Sequence, residues 1–323
     1  MIEDFENSVK DLILFAGQSN MAGRGDAGEA VACEAHMGRE FRAISDPSTL
    51  YPIQEPFGVK ENNREGMDDG RKKTGSLVSS FVRKYYGLTG HAVIAVSASK
   101  GGSSSADWLK LYAADAALRL RRARAYLEEN GVEIAHACVL WSQGETDGDK
   151  GLDAVQYFKS FQAIWEILRE AGAEKCFLIQ TGHYNYVKYP GGAKGITGAG
   201  LDRQYEVIRR TQEKMCTDIR GGGARLQERK PVACGMGVAG QASAADGTEC
   251  PDGVDMAAQP SAAAVSCLPE VYMAASFEPY LGMMKDQFHY RQQAYNEVGE
   301  TAAENMTVRL LGEEGIRHAG GIS

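Results

Sequence analysis

The sequence predicts a three-layer α/β/α sandwich built on a mainly parallel sheet of five strands. Three observations carry this expectation. Short apolar runs recur along the 323 residues, segments with helical spacing lie between them, and four of the five runs end in polar or glycine-rich sequence. Strands that alternate with helices of this length form βα units, whose parallel sheet is covered on both faces.

The first strand is read at residues 12–15 (LILF), a short apolar run bounded by Gly17. A polar stretch rich in Gly, Asp, Glu and Asn follows to about Lys73 and reads as loops over the strand ends. Residues 76–86 (SLVSSFVRKYY) have helical spacing, and residues 91–97 (HAVIAVS) form the second strand. A long amphipathic helix is expected over 108–130, stopped by Gly131. Residues 134–141 (IAHACVLW) are the third strand, and a helix over 152–171 ends at Gly172. Residues 176–181 (CFLIQT) make the fourth strand, and 201–215 another helix. Residues 220–269 lack periodicity and are rich in Gly, Ala and Ser, which reads as a poorly ordered insertion in one domain rather than a lid. Residues 271–275 (VYMAA) are the fifth strand, and 290–306 the closing helix.

Right-handed crossovers place every strand's carboxyl end on one edge of such a sheet. Ligands and nucleophiles of open α/β sheets are found at that edge. Four segments therefore define the active edge: 18–19, 99–105, 142–147 and 182–183.

Composition narrows the partners. A net charge of −8 argues against nucleic acid and anionic membranes, which favour clustered positive surface. The basic residues Arg119, Arg121, Arg122 and Arg124 read as the solvated face of a helix. No apolar stretch is long enough to span a bilayer. The N-terminal MIEDFENSVKD is acidic and polar, the opposite of a secretory leader, which places the chain in the cytoplasm. Seven cysteines with no CxxC pair do not make a disulfide framework, and Cys138 and Cys176 sit inside apolar runs as reduced core residues.

The chemistry concentrates in four short segments. In FAGQSNMA (15–22), Ser19 follows a strand end on a tight turn flanked by small residues, a position that presents its hydroxyl outward. In SKGGSSSADW (99–108), Gly101 and Gly102 let backbone N–H groups approach a ligand closely, as an oxyanion hole requires; alone, the segment is an ordinary turn. It lacks the Lys-Ser/Thr ending of a phosphate-binding loop. In WSQGETD (141–147), Gln143 offers an amide donor and Glu145 a carboxylate, while Asp147 or Thr146 caps the next helix. No histidine has metal-ligand spacing with these carboxylates, so no metal and no cofactor is expected. In DQFH (286–289), Asp286 can accept from the ring N–H of His289, fixing the tautomer that lets the ring act as a general base. Gln18, Asn20 and His183 are candidate substrate contacts at the strand ends. Trp108, Tyr184 and Tyr186 either stack on sugar rings or pack.

GQSNM after strand one, SKGG after strand two, W-x-QGE-x-D after strand three and D-x-x-H near the end resemble the SGNH hydrolase superfamily. Within it the chain is similar to the branch of sialate O-acetylesterases and carbohydrate esterase family 6, whose members remove acetyl groups from sugars. The resemblance implies a flavodoxin-like fold. It implies Ser19 as nucleophile, His289 as base and Asp286 as the residue orienting that base. It implies an oxyanion hole from the backbone of Ser19 and of Gly102 or Gly101, with the Gln143 amide as third donor. Glu145 rivals Asp286 as the acidic member. The implied partner is an acetylated carbohydrate: O-acetylated sialic acid or a short acetylated oligosaccharide in a cytoplasmic setting, with acetylxylan as the alternative. A lipid esterase and a non-catalytic carbohydrate-binding protein are the more distant readings.

Overall fold

The stretch KDLILFAG is buried along its whole length and forms the central strand β1 (Lys10–Gly17). A strand with no polar face must be covered on both sides, so it sits mid-sheet between parallel neighbours. In the computed structural model, which describes residues 2–217 and 265–319, those neighbours are β4 (Ala92–Ser99) and β5 (His136–Ser142). β6 (Lys175–Gln180) and β7 (Val271–Ser276) extend the parallel sheet on one side. On the other side lie β2 (Gly38–Arg42), parallel to β4, and β3 (Asp46–Pro52), antiparallel to β2. The strand order is β3-β2-β4-β1-β5-β6-β7.

Among the described residues the sheet thus has seven strands where five were expected. The two extra strands lie inside the stretch read as loops. β2 buries one large apolar side chain, Phe41, beside the charged but buried Glu40. β3 is a largely exposed edge strand with Pro47 and Pro52 near its ends. Neither carries an apolar run or a clean alternation, so hydrophobic periodicity could not find them.

The helices are α1 (Ile2–Asn7), α2 (Ser19–Ala22), α3 (Val78–Thr89), α4 (Ser105–Asp107), α5 (Ala113–Glu129), α6 (Glu145–Asp149), α7 (Ala154–Glu170), α8 (Gly198–Met215) and α9 (Gln292–Ala319). α9 is broken at Gly312, whose φ is 73°. The helix expected from residue 108 is divided, because Trp108–Tyr112 forms one π-helical turn between α4 and α5. Asp153 caps α7, accepting from the Gln156 N–H at 2.9 Å, so neither Asp147 nor Thr146 serves as that cap.

Successive strand residues point to opposite faces, and each face builds its own core. Leu12, Leu14, Val96, Val139 and Trp141 pack under α5 and α7. Ile13, Phe15, Val93, Leu140 and Phe177 pack against α3 and α9. Each fully buried side chain of this size contributes about 1.5–3 kcal/mol. Cys138 and Cys176 are buried within these layers.

Two expectations outside the site change. Arg119 is not solvated: it is 1 % exposed. Its guanidinium donates to Asp115 at 3.1 Å, to the Ser97 carbonyl at 2.9 Å and to the Glu61 carbonyl at 3.2 Å, which offsets the cost of burying its charge. Of the insertion expected at 220–269, residues 220–264 lie outside the described residues. Leu268 is already part of the core, and its N–H donates to the Met215 carbonyl at 2.8 Å.

Candidate functional site

β1 ends at Gly17, and the position tolerates only glycine. Its φ is +143°, and a Cβ there would lie 2.0 Å from the Ser142 carbonyl oxygen of β5. That close approach, with the Gln18 N–H donating to the same carbonyl at 2.8 Å, turns the chain sharply into α2 and sets Ser19 at the carboxyl edge.

The loop between β7 and α9 reaches the same point from the far end of the sequence. His289 Nε2 lies 3.0 Å from Ser19 Oγ, and His289 Nδ1 lies 3.0 Å from Asp286 Oδ2. Asp286 Oδ1 accepts the backbone N–H groups of Phe288 and His289, each at 2.8 Å. Burial pushes the Asp286 carboxyl up, but its bonds to the His289 ring and to those two N–H groups outweigh it and hold the pKa at about 2. The carboxylate is therefore charged across the neutral range.

Glu145 opens α6, deeply buried, and it is Asp286, not Glu145, that is hydrogen-bonded to the His289 ring. Its Oε1 accepts from the Asn20 amide. Burial raises its pKa, against the lowering effect of that amide. Asn20 also donates to the Phe288 carbonyl at 3.2 Å and accepts from the Tyr295 hydroxyl at 2.7 Å. One buried side chain thus ties together the serine turn, α6, the histidine loop and α9.

These groups open onto a cleft of about 300 Å³ lined by Gln18, Ser19, Gly101, Gly102, Glu145 and His289, with Arg24, Lys72, Thr146, Asp149 and Phe288 around them. Gly102, at φ +70°, has open space where a Cβ would stand, so its backbone is accessible from the cleft. Lys73 is buried with Nζ donating to Ser97 Oγ at 2.7 Å and Ser99 Oγ at 3.0 Å. Burial, helped by the Arg119 charge, lowers its pKa to about 8. A serine hydroxyl bonded to an imidazole, itself bonded to a carboxylate, is the arrangement of a nucleophile with its base and orienter.

Residues 9–215 match the family described as "Carbohydrate esterase, sialic acid-specific acetylesterase". The chain belongs to this family. It is a carboxylic ester hydrolase of the carbohydrate esterases. Among solved structures it is similar to a protein from Arabidopsis thaliana, with 15% identity, a TM-score of 0.56, and coverage of 92% of this chain and 98% of that one. At that identity the likeness is one of fold. It is also similar to a carbohydrate acetylesterase from Xanthomonas citri, with 16% identity and a TM-score of 0.48, over 94% of this chain and 57% of that one. No match is found among curated proteins.

Within this esterase several expected site residues stand elsewhere. Gln143 does not offer its amide to the cleft. The amide donates to the Ser103 carbonyl at 3.2 Å and to the Asp147 carboxylate, which engages both of its N–H groups. Asp147 also accepts from the Ser105 hydroxyl at 2.7 Å, so Gln143 and Asp147 fasten the glycine loop to α6. Asn20 is fully buried with both polar atoms engaged and cannot meet substrate. Trp108 is fully buried against Trp141 with ring centroids 4.6 Å apart, and donates to Ser103 Oγ. Tyr184 is likewise buried. His183 is half-buried, bonded through Nδ1 to Asp202 at 3.0 Å and edge-on to Tyr186, and is not part of the cleft lining. Gln18 lines the cleft, yet its Oε1 accepts from the Gly144 and Thr146 N–H groups.

Arg24, Lys72 and Tyr295 were not singled out from the sequence. Arg24 and Lys72 sit in the polar stretch read as loops, and Tyr295 looks like any aromatic on the apolar face of a helix. No described helix is long and apolar enough to cross a membrane.

Proposed function

We propose that this esterase removes O-acetyl groups from an acidic sugar, O-acetylated sialic acid foremost, through an acetyl-enzyme formed on Ser19. The observation that carries the reading is the chain of two 3.0 Å contacts from Ser19 Oγ through His289 to Asp286. His289 Nε2 takes the hydroxyl proton as Ser19 Oγ attacks the acetyl carbonyl, and ionised Asp286 keeps the other ring proton on Nδ1. The backbone N–H groups of Ser19 and Gly102 hold the oxyanion, and each such donor accounts for about 10²–10³ in turnover. The C–O bond to the sugar breaks as its oxygen receives the proton from Nε2. Water, activated by the same ring, then releases acetate and restores Ser19. The elements that build the cleft, from Gly17 to His289, support reading the chain as one esterase unit.

The acidic sugar rests on two cations of the cleft, Arg24 and Lys72, although the carboxyl groups of Glu145 and Asp149 line it as well. Arg24 is anchored by Asp69 at 2.8 Å, while Lys72 is exposed at the rim. A substrate carboxylate gains from that charge and a neutral xylan does not.

The test is acetate release from O-acetylated sialic acid, from acetylated xylo-oligosaccharides and from an activated acetate ester, with wild type and Ser19→Ala. Ser19→Ala is expected to abolish all release with the fold intact. Near wild-type turnover of the activated ester by Ser19→Ala would overturn the nucleophile. Preference for the xylo-oligosaccharides would overturn the acidic sugar and leave the nucleophile standing.

A further inference from the structure

A second cluster of reactive side chains lies at the opposite, amino-terminal end of the sheet. Asp11 is the second residue of β1, and its carboxylate is completely buried. His91 immediately precedes β4, and His136 opens β5, the two strands that flank β1. His91 Nδ1 stands 2.9 Å from Asp11 Oδ2, and His136 Nδ1 stands 2.8 Å from Asp11 Oδ1. The two rings are nearly parallel, at 16°, with centroids 6.4 Å apart. The Tyr85 hydroxyl donates to Asp11 Oδ2 at 2.6 Å.

We propose that Asp11, His91 and His136 form a binding site for one divalent transition-metal ion of the zinc class. The donor set is the first ground: two imidazoles and one carboxylate suit zinc and its neighbours rather than magnesium or calcium, which take oxygen shells. Placement is the second. One ligand atom from each residue lies within 4.8 Å of the others, so ring movements on the order of an ångström bring all three to the roughly 2.0–2.2 Å shell of zinc. Both rings present the same nitrogen to the two oxygens of one carboxylate, and the Tyr85 hydroxyl fixes that carboxylate's orientation, as outer partners of metal ligands do. Access is the third: the His91 and His136 side chains remain 16 % and 21 % exposed, so an ion enters from solvent although Asp11 is sealed.

Binding needs no redox or covalent step. Each neutral ring carries its proton on Nε2 instead of Nδ1, and water completes the shell. Gly17 lies six residue steps along β1 from Asp11, roughly 20 Å, which places the ion away from ester hydrolysis. It acts on the fold, as a clamp across three neighbouring strands.

The experiment titrates chelator-treated full-length protein with zinc by calorimetry, and with cobalt by visible absorption, alongside His91→Ala and His136→Ala. Expected are one ion per chain, the visible bands of nitrogen- and oxygen-ligated cobalt, and affinity at least about tenfold weaker in each variant. Zinc is expected to raise the melting temperature of wild type and not of the variants. Absence of saturable zinc binding, or affinity unchanged in either folded variant, would overturn the site. Should a variant fail to fold, the cobalt spectrum of wild type decides, since a hexa-aquo spectrum rules out imidazole ligation.

Discussion

Asp286 engages His289 twice, accepting its backbone N–H on Oδ1 at 2.8 Å and facing its ring Nδ1 from Oδ2 at 3.0 Å. The first bond fixes where the carboxylate stands, and the second uses that position to fix the ring. Asp286→Asn is expected to lower kcat by about 10²–10⁴ with little change in KM, because the amide permits the wrong tautomer. Glu145→Gln, which keeps the bond to Asn20, is expected to lower it less. Steady-state kinetics on an activated acetate ester rank the two, and a larger loss at Glu145 reverses the assignment.

The same carboxylate makes a pH-dependent contribution to stability. Its folded pKa of about 2 lies below the unfolded value near 3.9, so its stabilisation is fully present above pH 4 and is lost as pH falls toward 2. With Asp286 38 % exposed, solvent screening keeps the effect small. Denaturant melts of wild type and Asp286→Asn should therefore converge between pH 4 and pH 2, and parallel curves across that window contradict the linkage.

Asn20 is expected to behave as a positioning residue. Asn20→Ala leaves the buried Glu145 carboxyl without its amide donor and releases the Phe288 carbonyl. A stability loss of about 1–3 kcal/mol should follow. Turnover should fall as the histidine loop shifts, with KM nearly unchanged. A rise in KM at constant kcat would instead make Asn20 a substrate contact.

Lys72 should govern charge selectivity. Lys72→Glu is expected to raise KM for O-acetylated sialic acid by about tenfold, the cost of turning one attractive cleft charge repulsive. Hydrolysis of a neutral acetate ester should be unaffected. Equal effects on both substrates would show that Lys72 acts on the fold.

Lys73 supplies a signature at high pH. Burial leaves its folded pKa at about 8 against an unfolded value near 10.4, so between those values the unfolded chain holds the extra proton. Stability attributable to Lys73 therefore rises with pH across that window. The difference in unfolding free energy between wild type and Lys73→Met should move toward wild type by about 2 kcal/mol from pH 7 to pH 10. Chemical denaturation at the two values measures it, and a constant difference would place the Lys73 pKa outside the window.

The sequence by itself determined the parallel α/β scaffold and the segments around Ser19, Gly101, Glu145 and His289 that line one cleft. Such features are local: apolar runs such as LILF, glycines past strand ends, and a D-x-x-H turn follow from the few residues around them. Tertiary structure alone decided what each polar side chain faces. It turned Gln143 toward Ser103 and Asp147, sank Asn20 and Trp108 into the core, and added β2 and β3 from a stretch without periodicity. It also brought Arg24 and Lys72 to the cleft, and His91 and His136 to Asp11 from 80 and 125 residues away. The physical reason is that backbone propensity and hydrophobic burial are written in neighbouring residues. Hydrogen-bond satisfaction and charge pairing depend instead on which distant groups the packed sheet brings within 3 Å. Ser19 shows both halves: its turn is readable from Gly17 and the small residues Ala22 and Gly23, and its partner His289, 270 residues later, becomes its neighbour only when the sheet closes.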